Sequence, residues 1–304
     1  MKEIEQFKIS IVIPTYNREK FIQSCIDSVL DSGDENIEII IVDNASTDKT
    51  LLKVKKYEKD PRIRVIINKN NHERSFSRNL GIRQSTGKFI TLLDSDDKLN
   101  NNIFFEFRKF YNNNKKYNIY FSNFQIYNLK SKKIKNSNFH KDKCNLEMLS
   151  KGNYLSNICV FFRKSFAANI FFDENQDIIG IEDYDFNLRA IFECGEAKRF
   201  SKKNLGTVTD HVERSVNIDN VEKAEKRYNA FSKKILKHND YLNFKRNIKF
   251  KIISTSSLYL SLICINNKNR FKSIKYLYIS LINNFEIIKE KRFYYIIFKL
   301  ILFI

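Results

Sequence analysis

Asp94-Ser95-Asp96-Asp97 sets three carboxylates within four residues. Like charges held so close repel one another, a cost that a bound cation removes. The motif brings oxygen ligands with no Cys or His beside it, which suits Mg2+ or Mn2+ better than zinc. Such ions usually complete their shell with phosphate oxygens. The competing reading of the motif by itself is an Asp-rich turn whose charges are solvated.

Three other groups could act with it. In Pro14-Thr15-Tyr16-Asn17-Arg18 the tyrosine could stack on a nucleobase. In Asp43-Asn44-Ala45-Ser46-Thr47-Asp48, Asp43 and Asn44 could accept hydrogen bonds from a base N–H or a ribose hydroxyl. Arg74 and Arg78 carry guanidiniums able to hold a diphosphate or a base carbonyl. Far along the chain, Glu182-Asp183 could supply a general base. Each has a plainer alternative: a turn tyrosine, a helix-capping cluster, exposed helix arginines, and acids favoured at a positive helix end.

The elements that must position these residues alternate. Ile9-Ser10-Ile11-Val12-Ile13 and Glu38-Ile39-Ile40-Ile41-Val42 read as buried strands, and Phe21, Ile22, Cys25, Ile26, Val29 and Leu30 between them fall at helical spacing. A helix is expected over 47–59, a strand over 62–67, a helix over 75–84, a strand over 88–93 and a helix over 101–111. Alternation of this kind implies an α/β fold: a doubly wound, mostly parallel sheet with helices on both faces. Ligands of such sheets bind beyond the carboxyl ends of the strands, where these polar groups fall. The stretch 117–159 is weakly periodic. From Ile181 a helical stripe returns, placing Glu182 and Asp183 in its first turn.

Composition adds limits. The net charge is +19, but 18 Lys and Arg against 6 Asp and Glu fall in 216–304, outside the part that carries the motifs. A nucleic-acid-binding protein would explain the charge and leave the motifs without a role. A phosphatase with an Asp nucleophile would leave Tyr16 and Glu182-Asp183 unused. No G-x-G-x-x-G follows the first strand, and Gly87-Lys88 precedes a strand rather than a helix, so dinucleotide and P-loop readings are disfavoured. The five scattered cysteines and the absence of a leader pattern at the N-terminus lead to the expectation of a cytoplasmic protein. Two tail segments, 271–278 and 294–304, mix cations with aromatic and aliphatic residues, but neither has the roughly 18 uncharged residues of a spanning helix. Attachment to an anionic membrane surface, on the inner face of the cytoplasmic membrane, competes with packing against the rest of the chain.

Taken in order, the blocks resemble the inverting glycosyltransferases of family 2, which have the GT-A fold. The resemblance is carried by Pro14 to Arg18, Val42 to Asp48, Ser77-Arg78-Asn79 with Gly81-Ile82 and Thr86 to Ile90, Leu93 to Asp97, and Glu182-Asp183 with Leu188-Arg189. It implies a catalytic domain over 1–215, with a nucleotide-binding half to about 100 and an acceptor half beyond, then a basic helical extension over 216–304. It further implies that Pro14, Thr15, Tyr16, Arg18, Asp43, Asn44, Arg78, Asp94 and Asp96 surround a uridine or thymidine diphosphate sugar, with Asp96 at the ribose. Asp97, with Asp94 and His211, would meet Mn2+ or Mg2+, and Asp183, beside Glu182, would be the base. The implied reaction moves the sugar, with inversion, to a hydroxyl of a growing surface glycan or lipid-linked saccharide. Many relatives have a second aspartate where this chain has Asn44, which bears on the choice of pyrimidine.

Overall fold

Strand β1 (Ile9–Thr15) is buried along its whole length, as a β-branched run flanked on both sides by parallel neighbours must be. In the computed structural model, which describes residues 4–137, 139, 141–167, 169–212 and 220–302, it is followed by α1 (Ile22–Leu30), β2 (Ile37–Asp43), α2 (Thr50–Lys55), β3 (Ile63–Ile67), α3 (Arg74–Gln84) and β4 (Phe89–Leu92). The four strands run parallel in the order β3-β2-β1-β4. The chain therefore reverses its direction of travel across the sheet between β1 and β4, and the carboxyl ends of these two strands flank the crevice where such sheets bind ligands. Helix α3 packs closely here: a Cβ on Gly81 would stand 2.2 Å from Val12 Cγ1.

The sheet continues through β5 (Lys98–Leu99), α4 (Ile103–Asn113), β6 (Ile119–Asn128), β7 (Ile134–Asn136), β8 (Lys143–Asn145), α5 (Leu146–Leu149), β9 (Val160–Arg163), α6 (Lys164–Ala167), α7 (Glu182–Cys194) and β10 (Glu196–Asp210). Its full order is β3-β2-β1-β4-β9-β6-β10-β5, with β7 against β6 and β8 against β10. Strand β9 runs antiparallel to β4 and β6, whereas β10 runs parallel to β6. Phe89, Phe107, Tyr111, Tyr120 and Phe161 fill the centre with edge-to-face and stacked contacts. The long β10 has no clear alternation in sequence because its pairing with β6 shifts register at Arg199/Ser201, Ser201/Asn204 and Asn204/Thr207. Helix α2 is shorter than expected, since the residues before Thr50 are spent on hydrogen bonds to the loop after β1.

The chain divides into two compact units. The first comprises Met1–Cys144, Leu155–Glu174 and Glu193–Val212, and the second Asn145–Tyr154, Asn175–Phe192 and Glu213–Ile304. The boundary expected between 215 and 216 lies outside the described residues. The segments 145–154 and 175–192 group with the C-terminal helices α8 (Val221–Lys237), α9 (Arg246–Asn266), α10 (Arg270–Asn283) and α11 (Lys291–Leu302).

Within the second unit, α9 and α10 are joined by reciprocal serine bonds. Ser254 and Ser280 donate to each other's carbonyl at 2.7 and 2.8 Å, as do Ser261 and Ser273 at 2.7 and 3.1 Å. Asp185, fully buried, accepts from Tyr241 Oη at 2.8 Å and forms ion pairs with Arg189 at 2.7 Å and Lys234 at 2.8 Å. Burial and the Asp185 charge push the Tyr241 hydroxyl well above its ordinary pKa. Outside the two tail segments, α9, at 21 residues, is long and apolar enough to cross a membrane by length and composition, and 61% of its most apolar stretch is buried in the protein. Lys249, Lys251 and the serines dilute its hydropathy in the sequence; in the fold Ser254 and Ser261 bond to α10 and Ser257 to Tyr228 of α8.

Candidate functional site

In the first unit, the loops after β1 and β2 are laced together. Asn44 N donates to Thr15 O at 2.9 Å, Asn17 N to Ser46 Oγ at 3.0 Å, Thr47 N to Asn17 Oδ1 at 2.8 Å, and Arg18 N to Thr50 Oγ1 at 2.7 Å. Asn17 and Ala45 both take positive φ, 49° and 63°. Asn tolerates that region, but alanine pays about 1–2 kcal/mol for it, so the surrounding bonds must hold the turn. Ser46, Thr47 and Asp48 thus shape this crevice as well as leading into α2.

Asp43 ends β2 fully buried. Its Oδ1 accepts Ser46 N at 3.0 Å, while Oδ2 has no hydrogen-bond partner among the described residues, nor has Thr15 Oγ1 at the end of β1. Orphaned buried oxygens of this kind call for an outside donor. Tyr16 is 40% exposed and free to offer a ring face, whereas Pro14 is buried within β1. Asn44, expected at a base, is engaged elsewhere. Its Oδ1 accepts from Asn68 and from the backbone of His72, both at 3.0 Å, and its amide donates to Asn71 at 2.7 Å. It therefore anchors the loop before α3.

The acidic strand end separates into three environments. Asp94 Oδ1 accepts from Arg78 Nη2 at 2.8 Å; Arg78 is only 2% exposed, lies over the Phe172 ring, and positions Asp94. Asp97 is buried, and its Oδ1 accepts Thr209 N of β10 at 2.9 Å. Asp96 Oδ2 lies 3.3 Å from Arg18 Nε and 3.0 Å from His211 Nε2, whose ring stacks on Phe21 at 4.5 Å. The geometry thus sets Asp96 Oδ2 beside His211 Nε2. Behind the motif, burial and then the charges of Asp97, Asp96 and Asp94 drive the Cys25 thiol well above its ordinary pKa, keeping it protonated. Arg214 and Ser215, which follow His211 in sequence, lie outside the described residues.

In the second unit, Glu182 and Asp183 open α7 as expected, with different surroundings. Glu182 is buried and accepts the Gly180 N–H, closing the turn into the helix. One carboxylate oxygen of Glu182 thus serves the turn that presents Asp183. Asp183 is half-exposed; Oδ1 accepts Tyr184 N at 2.7 Å and Oδ2 accepts Asn153 Nδ2 at 3.1 Å. Asn153 also accepts from Asn187 Nδ2 at 3.2 Å. No spacing in the sequence pointed to Asn153, because the fold alone brings its segment to α7.

Comparison with known proteins identifies the family and the fold. Residues 10–171 match the model of glycosyl transferase family 2. A curated relative, the GalNAc(5)-diNAcBac-PP-undecaprenol beta-1,3-glucosyltransferase of Campylobacter jejuni, is 35% identical over 94 residues, 30% of this chain and 30% of that protein. The chain spans 13% to 38% of the length of curated relatives it matches. Among solved structures, Staphylococcus aureus TarS 1–349 in complex with UDP-GlcNAc superposes with a TM-score of 0.58 at 18% identity, covering 89% of both chains. A mannosyltransferase from Pyrobaculum calidifontis in complex with GDP-Man and Mn2+ gives 0.58 at 14% identity, covering 94% of this chain and 76% of that one. At these identities the likeness establishes the fold, the GT-A fold.

Proposed function

The chain belongs to glycosyl transferase family 2, and from that premise we propose that it moves a sugar from a uridine- or thymidine-diphosphate sugar to a hydroxyl of a saccharide acceptor, inverting the anomeric carbon. The observation that carries this reading is the convergence, at the β1/β4 switch point, of the Asp43 and Thr15 oxygens, exposed Tyr16, and the Arg18–Asp96–His211 cluster. The first set suits a nucleobase and its N–H, the second a diphosphate with its cation.

Among the described residues no three His, Cys, Asp or Glu side chains form a ready-made metal cage. Asp96 Oδ2 and His211 Nε2, 3.0 Å apart, nevertheless fit a divalent ion. The two side chains would hold such an ion together with phosphate oxygens and water. Bound there, Mn2+ or Mg2+ would neutralise charge growing on the departing diphosphate. Asp183 takes the proton of the acceptor hydroxyl while that oxygen bonds to the anomeric carbon and the bond to the diphosphate breaks. The Tyr184 N–H and the Asn153 amide orient its carboxylate. A thermal-shift screen of nucleoside diphosphates and nucleotide sugars with Mn2+ tests the reading: stabilisation by UDP- or dTDP-sugars is expected, and no response to any nucleotide would overturn it.

We further propose a lipid-linked acceptor, the kind named for the Campylobacter relative, met at the inner face of the cytoplasmic membrane. The support is a surface on α10 and α11. Phe271, Ile274, Tyr278 and Ile282 follow one face of α10 at 51–91% exposure, and Tyr294, Phe298 and Ile301 one face of α11 at 58–62%. Arg270 Nη2, 3.1 Å from Leu300 O, ties the start of the first helix to the end of the second. Lys272, Lys275, Lys291 and Lys299 accompany these rings, the pairing of cations and aromatics that settles on anionic leaflets.

A further inference from the structure

The second unit contains a cavity of about 330 Å³ walled by Asp183 at the start of α7, Arg227 and Tyr228 of α8, Tyr259 and Leu260 of α9, and Arg292 of α11. That is at the lower end of the roughly 300–1,000 Å³ found for small-molecule sites. Most of the wall is apolar or aromatic. The charged groups on its wall are two guanidiniums and one carboxylate.

From this we infer that the cavity is the acceptor subsite and that it takes a saccharide carrying an anionic group, phosphate or carboxylate. The inference rests on Asp183 being the general base: a base within hydrogen-bond reach of its hydroxyl requires the acceptor to occupy the space beside it. Tyr228 and Tyr259 supply ring faces that pack against the C–H faces of a sugar, the first held in place by its hydroxyl, 2.8 Å from Ser257 Oγ. An arginine fork matches a phosphate or carboxylate in two parallel hydrogen bonds, and in a largely apolar wall that match is strengthened.

Local geometry fixes the guanidiniums. Gly180 takes φ +90°, and a Cβ there would stand 2.8 Å from Arg227 Cζ, so only glycine lets Arg227 lie against the turn that leads to Asp183. Arg292 is steered through Nη2, 3.5 Å from Lys151 O and 3.3 Å from Glu290 Oε2. A guanidinium carries five N–H groups, so these contacts use one corner of it.

The test is calorimetric titration of the full chain, without donor, with glucose 6-phosphate, glucuronate, glucose and inorganic phosphate, and separately with UDP and Mn2+. One or both anionic sugars should bind roughly ten- to a hundredfold more tightly than glucose, the scale of one charge-assisted contact. Whichever is tighter identifies the anion. Arg227→Gln and Arg292→Gln should each remove most of that preference while UDP affinity stays within twofold. Arg227→Lys, which keeps the charge and the packing stem but loses the fork, should fall between.

Equal binding of glucose and the anionic sugars would overturn the inference, as would a preference that survives the double Gln variant. Inorganic phosphate binding as tightly as glucose 6-phosphate would reduce the site to an anion trap and overturn the saccharide part. Loss of UDP binding in Arg227→Gln would assign the arginine to the donor instead. The transferase reading fails on a different result, the absence of nucleotide binding by the unsubstituted protein, so the two failures are distinguishable.

Discussion

Asp96 Oδ2 and His211 Nε2 lie 3.0 Å apart, although 115 residues separate them in the chain. Strand β10 makes the approach possible. It pairs with β5 at Gly206 and Thr207, and Thr209 N donates to Asp97, so the strand delivers His211 directly across from the acidic turn.

If Asp96 and His211 hold the cation, Asp96→Ala and His211→Ala should each weaken Mn2+-dependent UDP binding at least tenfold. Asp97→Ala should instead leave Thr209 N–H buried without an acceptor and cost about 1–3 kcal/mol of stability. Titration calorimetry and urea unfolding separate the two. An Asp97→Ala protein with an unchanged unfolding midpoint and no nucleotide binding would return the cation to Asp97.

Asp183→Asn should lower transfer by roughly 10²–10⁴-fold, the usual range for a positioned base, with UDP affinity unchanged. Glu182→Ala, which removes the acceptor for Gly180 N–H, should act on stability, by about 1 kcal/mol. Near-normal transfer by Asp183→Asn, measured against nucleotide release, would eliminate it as the base.

Asp185→Ala should be among the most destabilising substitutions in the second unit. It strips a fully buried site of its carboxylate and leaves Lys234, Arg189 and the Tyr241 hydroxyl to rearrange. Breaking a buried ion pair by removing one partner typically costs about 3–5 kcal/mol. Chemical denaturation monitored by tyrosine fluorescence gives the number, and a loss under about 1 kcal/mol would show that the network contributes little.

Glu38 provides a pH dependence. Burial opposes its ionisation, but hydrogen bonds from Ser10 Oγ and Thr86 N outweigh that and hold its pKa below the ordinary value. A carboxyl whose folded pKa is depressed contributes stability that is fully present above its unfolded pKa, about 4.3, and is lost as pH falls through the lower folded value. Glu38→Gln should therefore flatten the acid side of the stability curve while leaving its slope near neutrality unchanged. An identical acid slope in the variant would rule out this contribution.

The exposed face of α10 and α11 predicts sedimentation with vesicles containing phosphatidylserine and little with neutral phosphatidylcholine, declining as salt rises. Phe271→Ser with Phe298→Ser should reduce binding severalfold without altering UDP affinity, because both side chains are solvent-exposed in the protein. Equal binding to both lipid types, or none, would contradict an anionic-surface role.

Much of the fold was legible in the sequence. The β-branched runs at 9–13 and 38–42 and the apolar stripe between them specify a β-α-β unit, since period and burial are local properties. The same locality placed Pro14 to Arg18, Asp43 to Asp48 and Asp94 to Asp97 at strand ends and Asp183 in a first helical turn, where they are found. The 15-residue β10 was not legible, because its register shifts erase alternation, nor was the length of α2, whose leading residues bond across to another loop.

What the sequence determined by itself was the set of polar residues and the strand ends that carry them. The tertiary structure decided their division of labour. Asp94, Asp96 and Asp97 are chemically alike and lie within four residues, so no local property distinguishes them; Arg78 of α3, and Thr209 and His211 at the end of β10, do. Glu182 and Asp183 are divided in the same way, one by the Gly180 amide and the other by Asn153. A carboxylate's role follows from which donors surround it and from what it can still face, and both are set by contacts between segments that the order of residues does not reveal.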